Sequence, residues 1–250
     1  MAEVQINWPA PPPAWSLGDR EVHVWAINLR PPDEKVAACA RTLAADETQR
    51  AERFRFERDR RRFIVARGSL RAILCAYLER VPARIAFDYS SRGKPALAGQ
   101  GENTPLHFNL SHSDELALLA VTRVCPLGID LELIRPLNDA DAIADRFFSA
   151  RESQGLAALP PEQKPTAFFN LWTRKEAWLK ATGDGISESL DKVEVSFLAD
   201  EPARLISLPE VAGAVREWGL FSLSPNKDFV GALAIRATDV KIDCRFCANG

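Results

Sequence analysis

The chain has 250 residues, 46% hydrophobic and 26% charged, with a formal net charge of −2. That length supports one sizeable domain or two small ones, each with its own core, and the near-neutral charge gives no basis for binding nucleic acid or a membrane surface. No apolar run approaches a membrane span, the N-terminus lacks a signal pattern, and five cysteines without framework spacing fit reduced thiols in a cytoplasm.

Residues 1–20, with Pro9, Pro11, Pro12 and Pro13, predict an extended arm. Glu21 to Leu29 alternates as a strand, with Val22, Val24 and Ala26 on one face. Asp33 to Leu43 reads as a short helix after Pro31-Pro32. Asp46 to Arg80 reads as a long helical region broken near Asp59 or Gly68. Its first half carries Arg50, Arg53, Arg55, Arg58, Arg60, Arg61 and Arg62. Such a cluster is either a solvated helix face or a local anion site, since guanidinium forks match phosphate oxygens.

Arg84 to Tyr89 predicts a strand, followed by a turn over Ser91-Arg92-Gly93-Lys94-Pro95. Leu106 to Leu110 reads as a strand running into a loop at Ser111-His112-Ser113. Leu116 to Thr122 and Leu127 to Leu133 are apolar strands, and Ala140 to Phe148 and Ala150 to Leu159 are helices. From Phe168 to Lys180 the chain lacks Gly and Pro and stops at Gly183 and Gly185, which predicts a helix with a glycine terminus. Phe168, Leu171, Trp172 and Leu179 fall at helical spacing and face a core. Short strands follow at Val193 to Phe197, Ala203 to Ser207, Glu217 to Leu223 and Phe229 to Ile235. Strand, helices and strands therefore occur twice. This order predicts an α+β fold of two similar halves, residues 1–124 and 125–250, joined near Arg123 to Pro126.

Three patterns carry chemistry. In Gly128-Ile129-Asp130-Leu131-Glu132, residues two apart on a strand share a side, so Asp130 and Glu132 project together while Ile129 and Leu131 enter the core. Two carboxylates on one face repel unless a cation or a shared proton relieves them, and Mg²⁺ suits such a set of hard oxygens. The bland alternative is a solvent-facing acidic strand. Glu176 and Lys180 stand four apart on the Phe168 helix and share a face, either as an ordinary surface ion pair or as part of a site. Glu176 would supply a third carboxylate if that helix packs beside the strand. Ser111 beside His112 offers donors to an anion, and without a G-x-S-x-G elbow it makes a weak hydrolase signal. Cys244-x-x-Cys247 has no second pair and no nearby His, so it reads as unrelated thiols.

Together, Gly93-Lys94-Pro95, Phe108-Asn109-Leu110-Ser111-His112-Ser113, Gly128-Ile129-Asp130-Leu131-Glu132 and Trp172-Thr173-Arg174-Lys175-Glu176-Ala177-Trp178-Leu179-Lys180 resemble, in order and spacing, the Sfp-type 4′-phosphopantetheinyl transferases. The resemblance covers roughly residues 93–185, and the Arg-rich helix before them also fits. It implies a pseudo-dimer of two α+β subdomains with the active site in the cleft between them, and a monomer. It implies transfer of the phosphopantetheine arm of coenzyme A to a serine of an apo acyl or peptidyl carrier protein, releasing adenosine 3′,5′-bisphosphate. By the same resemblance Asp130, Glu132 and Glu176 hold Mg²⁺, or Mn²⁺ in its place. Lys94, Ser111 and His112 contact the nucleotide and its 3′-phosphate, with Arg50 and Arg62 adding to that anion site. Lys180 reaches the pyrophosphate, and Lys175 either assists or only solvates the helix. Glu176 is the expected general base, directly or through a metal-bound water, with Glu132 as the other choice. The stretch from Phe148 to Thr166 is the expected carrier rim. A Mg²⁺-dependent phosphohydrolase, or a member that binds without transfer, would use the same residues. The full set of acids and Lys180 argues against the latter.

Overall fold

The computed structural model describes residues 8–11, 16–99, 105–183, 190–209 and 213–247. Pro12, Pro13 and Gly185, named in the sequence reading, lie outside the described residues. The strands are β1 (Glu21–Asn28), β2 (Phe87–Tyr89), β3 (Pro95–Leu97), β4 (His107–Ser113), β5 (Leu116–Thr122), β6 (Leu127–Leu133), β7 (Glu194–Val195), β8 (Leu205–Ser207), β9 (Gly219–Leu223), β10 (Phe229–Ile235) and β11 (Lys241–Cys247). The helices are α1 (Asp33–Ala40), α2 (Ala45–Glu52), α3 (Glu57–Leu78), α4 (Ala140–Phe147), α5 (Ala150–Ala157) and α6 (Lys164–Thr182).

Two main sheets stand back to back, one per half. The first has the order β11-β1-β5-β4 and the second β6-β10-β9, with small hairpins β2-β3 and β7-β8 beside them. The front of the first sheet packs on α3 through Trp25, Leu70, Leu74 and Leu119. The second carries α6 on its front, through Trp178, Ala177, Ala232 and Ala234. Between them a third core joins Val22, Val24 and Ala26 of β1 to Ile129, Leu131 and Leu233. Strand β1 is therefore buried on both faces, and its alternation divides one apolar strand between two cores. The fold is α+β with two halves of the same layering, as the sequence order implied.

Several local readings change. The last strand was not anticipated: β11 pairs in parallel with β1, so Lys241 stands opposite Glu21 and Cys247 opposite Ile27. The end of the chain thus returns to the sheet of the first half. The helical region from Asp46 breaks at residues 53–56, before Asp59, and Gly68 lies inside α3. A Cβ on Gly68 would come within 2.5 Å of Cys39 Cβ, so this glycine serves the close approach of α1 and α3 and breaks nothing. The expected loop at Ser111-His112-Ser113 is the continuation of β4, which turns into β5 at Asp114 and Glu115. Helix α6 starts four residues earlier than Phe168 because Pro165 sits in its first turn, where its missing N–H costs nothing. It ends at Gly183, which takes the left-handed conformation at φ 82°.

Candidate active site at the seam of the two halves

The site forms where α6 crosses β6. Gly128 decides this approach, since a Cβ there would lie 2.0 Å from Ala177 O and 2.4 Å from Ala181 N. With no side chain in the way, the helix backbone rests on the strand, and Glu176 and Lys180 arrive beside Asp130. Lys180 Nζ lies 2.6 Å from Asp130 Oδ1, 3.1 Å from Ser111 Oγ and 3.2 Å from Ile129 O. Ser111 Oγ donates to the same Asp130 oxygen at 2.8 Å. Asp130 and Glu176 are each 5% exposed, and Asp130 Oδ2 and Glu176 Oε1 are buried without a hydrogen-bond partner.

Such a carboxylate is held against its own solvation. Burial pushes the Glu176 carboxyl up to about 7, Asp130 and Glu132 push the same way, and Lys180 opposes them. Burial also raises Glu132, with Asp130 adding to it and the Ser113 hydroxyl opposing. Glu176 therefore senses the charges of Asp130 and Glu132, and Glu132 senses that of Asp130. Among the described residues no three His, Cys, Asp or Glu side chains stand as a finished cation cage; the Lys180 ammonium, not a cage, neutralises Asp130. The donor set nevertheless fits a hard divalent ion. It offers three carboxylates, and the two orphaned buried oxygens belong to two of them.

Of the expected anion ligands, the structure brings some to the seam and leaves others elsewhere. Ser111 is buried and bound to Asp130 and Lys180. His112 follows Ser111 on β4 and so points to the opposite face of the strand; burial lowers its pKa, the charges of Lys180 and Arg62 add to this, and Asp130 opposes them. Lys94 Nζ donates to Leu127 O at 3.2 Å and to Lys180 O, so it ties the β2-β3 turn to β6 and α6. It lines a cavity of about 430 Å³ with Tyr89, His107, Phe108 and Pro126.

Arg62 Nη2 pairs with Asp114 at 2.5 Å at the tip of the β4-β5 hairpin, near His112. With Arg58 and Arg61 of the same basic run, and with Arg30 from outside it, Arg62 lines a second cavity, of about 460 Å³. Arg50 is not drawn into either cavity; its guanidinium lies 5.3 Å above the Phe63 ring. Much of the Arg-rich segment is paired within the protein, Arg60 to Glu57 and Arg61 to Asp33.

Lys175 is a correction. It is fully buried on another side of α6, where Nζ bonds Glu152 Oε2 at 2.6 Å, Leu190 O at 2.6 Å and Val193 O. It neither solvates the helix nor reaches the seam, because α6 is enclosed along most of its length and its charged residues need internal partners. Arg174 likewise spends its donors on Ser196 and Ser222. Two further polar residues of β4 reach β6. Asn109 Oδ1 accepts the Ile129 N–H at 2.8 Å, and Ser113 Oγ bonds Glu132 at 2.8 Å. Their spacing, Asn109-x-Ser111-x-Ser113, was the available signal. All five cysteines are free, and burial raises Cys244 and Cys247 to about 11.

A two-halved α+β fold with acids, Lys180 and a seryl-histidyl strand at its seam matches one family along both halves. The model of the 4′-phosphopantetheinyl transferase superfamily matches residues 126–234, and that of the 4′-phosphopantetheinyl transferase N-terminal region matches residues 28–124. The chain is 45% identical over 232 residues to the 4′-phosphopantetheinyl transferase HetI of Nostoc sp. strain PCC 7120, covering 93% of this chain and 94% of that one. It is 36% identical over 187 residues to the 4′-phosphopantetheinyl transferase psf-1 of Bacillus pumilus, covering 73% and 78%. Among solved structures, a holo-(acyl-carrier-protein) synthase from Bacillus anthracis in complex with CoA (3′,5′-ADP) aligns with 45% of this chain and 96% of its own, at TM-score 0.37 and 21% identity. The chain belongs to the 4′-phosphopantetheinyl transferase superfamily and is an enzyme of that class.

Proposed function

We propose that the protein transfers the 4′-phosphopantetheine arm of coenzyme A to a serine of an apo acyl or peptidyl carrier protein. What supports this reading is that Glu176 feels the charges of Asp130 and Glu132 beside Lys180 at the seam, and that one oxygen each of Asp130 and Glu176 is buried without a hydrogen-bond partner. These three acids are the residues that would hold Mg²⁺ or Mn²⁺, which neutralises phosphate oxygens in phosphoryl transfer.

In the reaction Glu176 takes the proton from the acceptor serine, the geometry of a general base on a helix facing the acids. The serine oxygen forms a bond to the phosphorus that bears the pantetheine. The bond from that phosphorus to the bridging oxygen breaks, and adenosine 3′,5′-bisphosphate leaves with the electron pair. Lys180 stabilises charge on the phosphate oxygens. His112 and Arg62, with the arginines of the second cavity, suit the 3′-phosphate, and the cavity beside Lys94 suits the nucleotide. Residues 1–124 and 125–250 are the proposed halves, with β11 contributing to the sheet of the first. The reading as a cytoplasmic monomer is supported by the free cysteines and by the joining of both halves in one chain. No helix among the described residues is long and apolar enough to cross a membrane.

The test is to incubate the protein with coenzyme A, Mg²⁺ and apo carriers and to weigh the carrier. A gain of one phosphopantetheine, lost on chelation, is expected. Release of nucleotide with no carrier modification would instead favour the hydrolase.

A further inference from the structure

Strands β4 and β6 run side by side at the seam but belong to different sheets, with no backbone ladder between them. Side chains take the place of that ladder. Asn109, Ser111 and Ser113 share one face of β4, and each reaches β6. The first bonds the Ile129 N–H and the second the Asp130 carboxylate. Ser113 does more than either. Its hydroxyl donates to Glu132 Oε2 at 2.8 Å and accepts the Leu133 N–H at 3.1 Å, so donor and acceptor are both in use.

Glu132 needs such a partner. It is only partly buried, and among the described residues the cation paired with it is Arg135, 3.6 Å away, where Asp130 has Lys180 at 2.6 Å. A glutamate has three rotatable bonds, and a small divalent ion demands strict placement of its oxygens. We propose that Ser113 is a positioning residue that locks the Glu132 carboxylate to the backbone of β6, so that Glu132 enters a divalent-ion site already oriented. The inference rests on the ligand set given under Proposed function and assigns a role to a hydroxyl that acts through the Glu132 carboxylate.

The test is Mn²⁺ binding to the full chain, followed by electron paramagnetic resonance, with carrier modification measured alongside. Ser113→Ala is expected to weaken Mn²⁺ binding about 10- to 100-fold, as loss of a partner that orients a metal ligand does. Ser113→Thr, which keeps the hydroxyl, should restore it. On a Glu132→Gln background, Ser113→Ala should cause no further loss, because the serine acts through that carboxylate. If the alanine variant does not fold, Ser113→Cys, of similar shape and a weaker donor, makes the same comparison. Wild-type Mn²⁺ affinity in the folded variant, or an undiminished loss on the Glu132→Gln background, overturns the proposal alone. A wild-type protein that binds no Mn²⁺ overturns the ligand set and this inference with it.

Discussion

Lys180 Nζ lies 2.6 Å from Asp130 Oδ1, joining the last turn of α6 to the middle of β6 across 50 residues of sequence. The pair gives the site a cation where phosphate charge must be met and holds the helix in register with the strand. Lys180→Ala should lower carrier modification by about 100-fold or more, the scale of losing one preorganised charge stabiliser. The lysine side chain is 29% exposed, so the stability cost should be about 1–2 kcal/mol, well below that of a fully enclosed pair. Single-turnover kinetics and urea unfolding of the same variant separate the two effects.

Glu176 should make metal-free stability fall as pH rises. Its folded pKa of about 7 lies above the ordinary 4.5, so the folded chain keeps a proton that the unfolded chain has lost. Below about 4.5 both states are protonated and the residue is neutral to stability. Between 4.5 and 7 its contribution declines, and above 7 the full penalty, about 3 kcal/mol, is present. Glu176→Gln should remove this slope and raise metal-free stability at pH 8, while abolishing transfer. Denaturant midpoints at pH 5 and pH 8, with and without Mg²⁺, check this.

Gly128→Ala should be among the most disruptive single-methyl substitutions in the chain. The new Cβ would stand 2.0 Å from Ala177 O and 2.4 Å from Ala181 N, and backbone atoms cannot rotate away. A loss of about 3 kcal/mol or more is expected, with Glu176 and Lys180 displaced from the acids. Guanidinium unfolding together with residual transfer activity measures both.

Lys175→Met should destabilise strongly and leave the affinity of the folded fraction for coenzyme A unchanged. It strands the Glu152 carboxylate, 2% exposed, without its cation, a change that costs about 3–5 kcal/mol. Adding Glu152→Gln should recover part of the loss, which separates a structural ion pair from a ligand for phosphate. Calorimetric titration with coenzyme A and thermal unfolding of the wild type and both variants decide it.

What the sequence determined by itself was local direction. Two residues apart on a strand placed Asp130 and Glu132 on one side, and four apart on a helix paired Glu176 with Lys180, because backbone geometry alone sets those relations. The doubled order of strands and helices likewise carried the two halves, and glycine ended α6 at residue 183. Tertiary structure decided which of these faces met. The bare surface of Gly128 let α6 rest on β6, and enclosure of the same helix sent Lys175 inward to Glu152, away from the seam. Arg50 and Arg62, neighbours in one basic run, were separated in role by what packs beside them, an aromatic ring in one case and the β4-β5 turn in the other. The parallel pairing of β11 with β1 spans the whole chain, and the side-chain bridge from β4 to β6 replaces a ladder. Neither leaves a local period to read, because contacts between distant segments are set by packing and by the partners that buried polar groups must find.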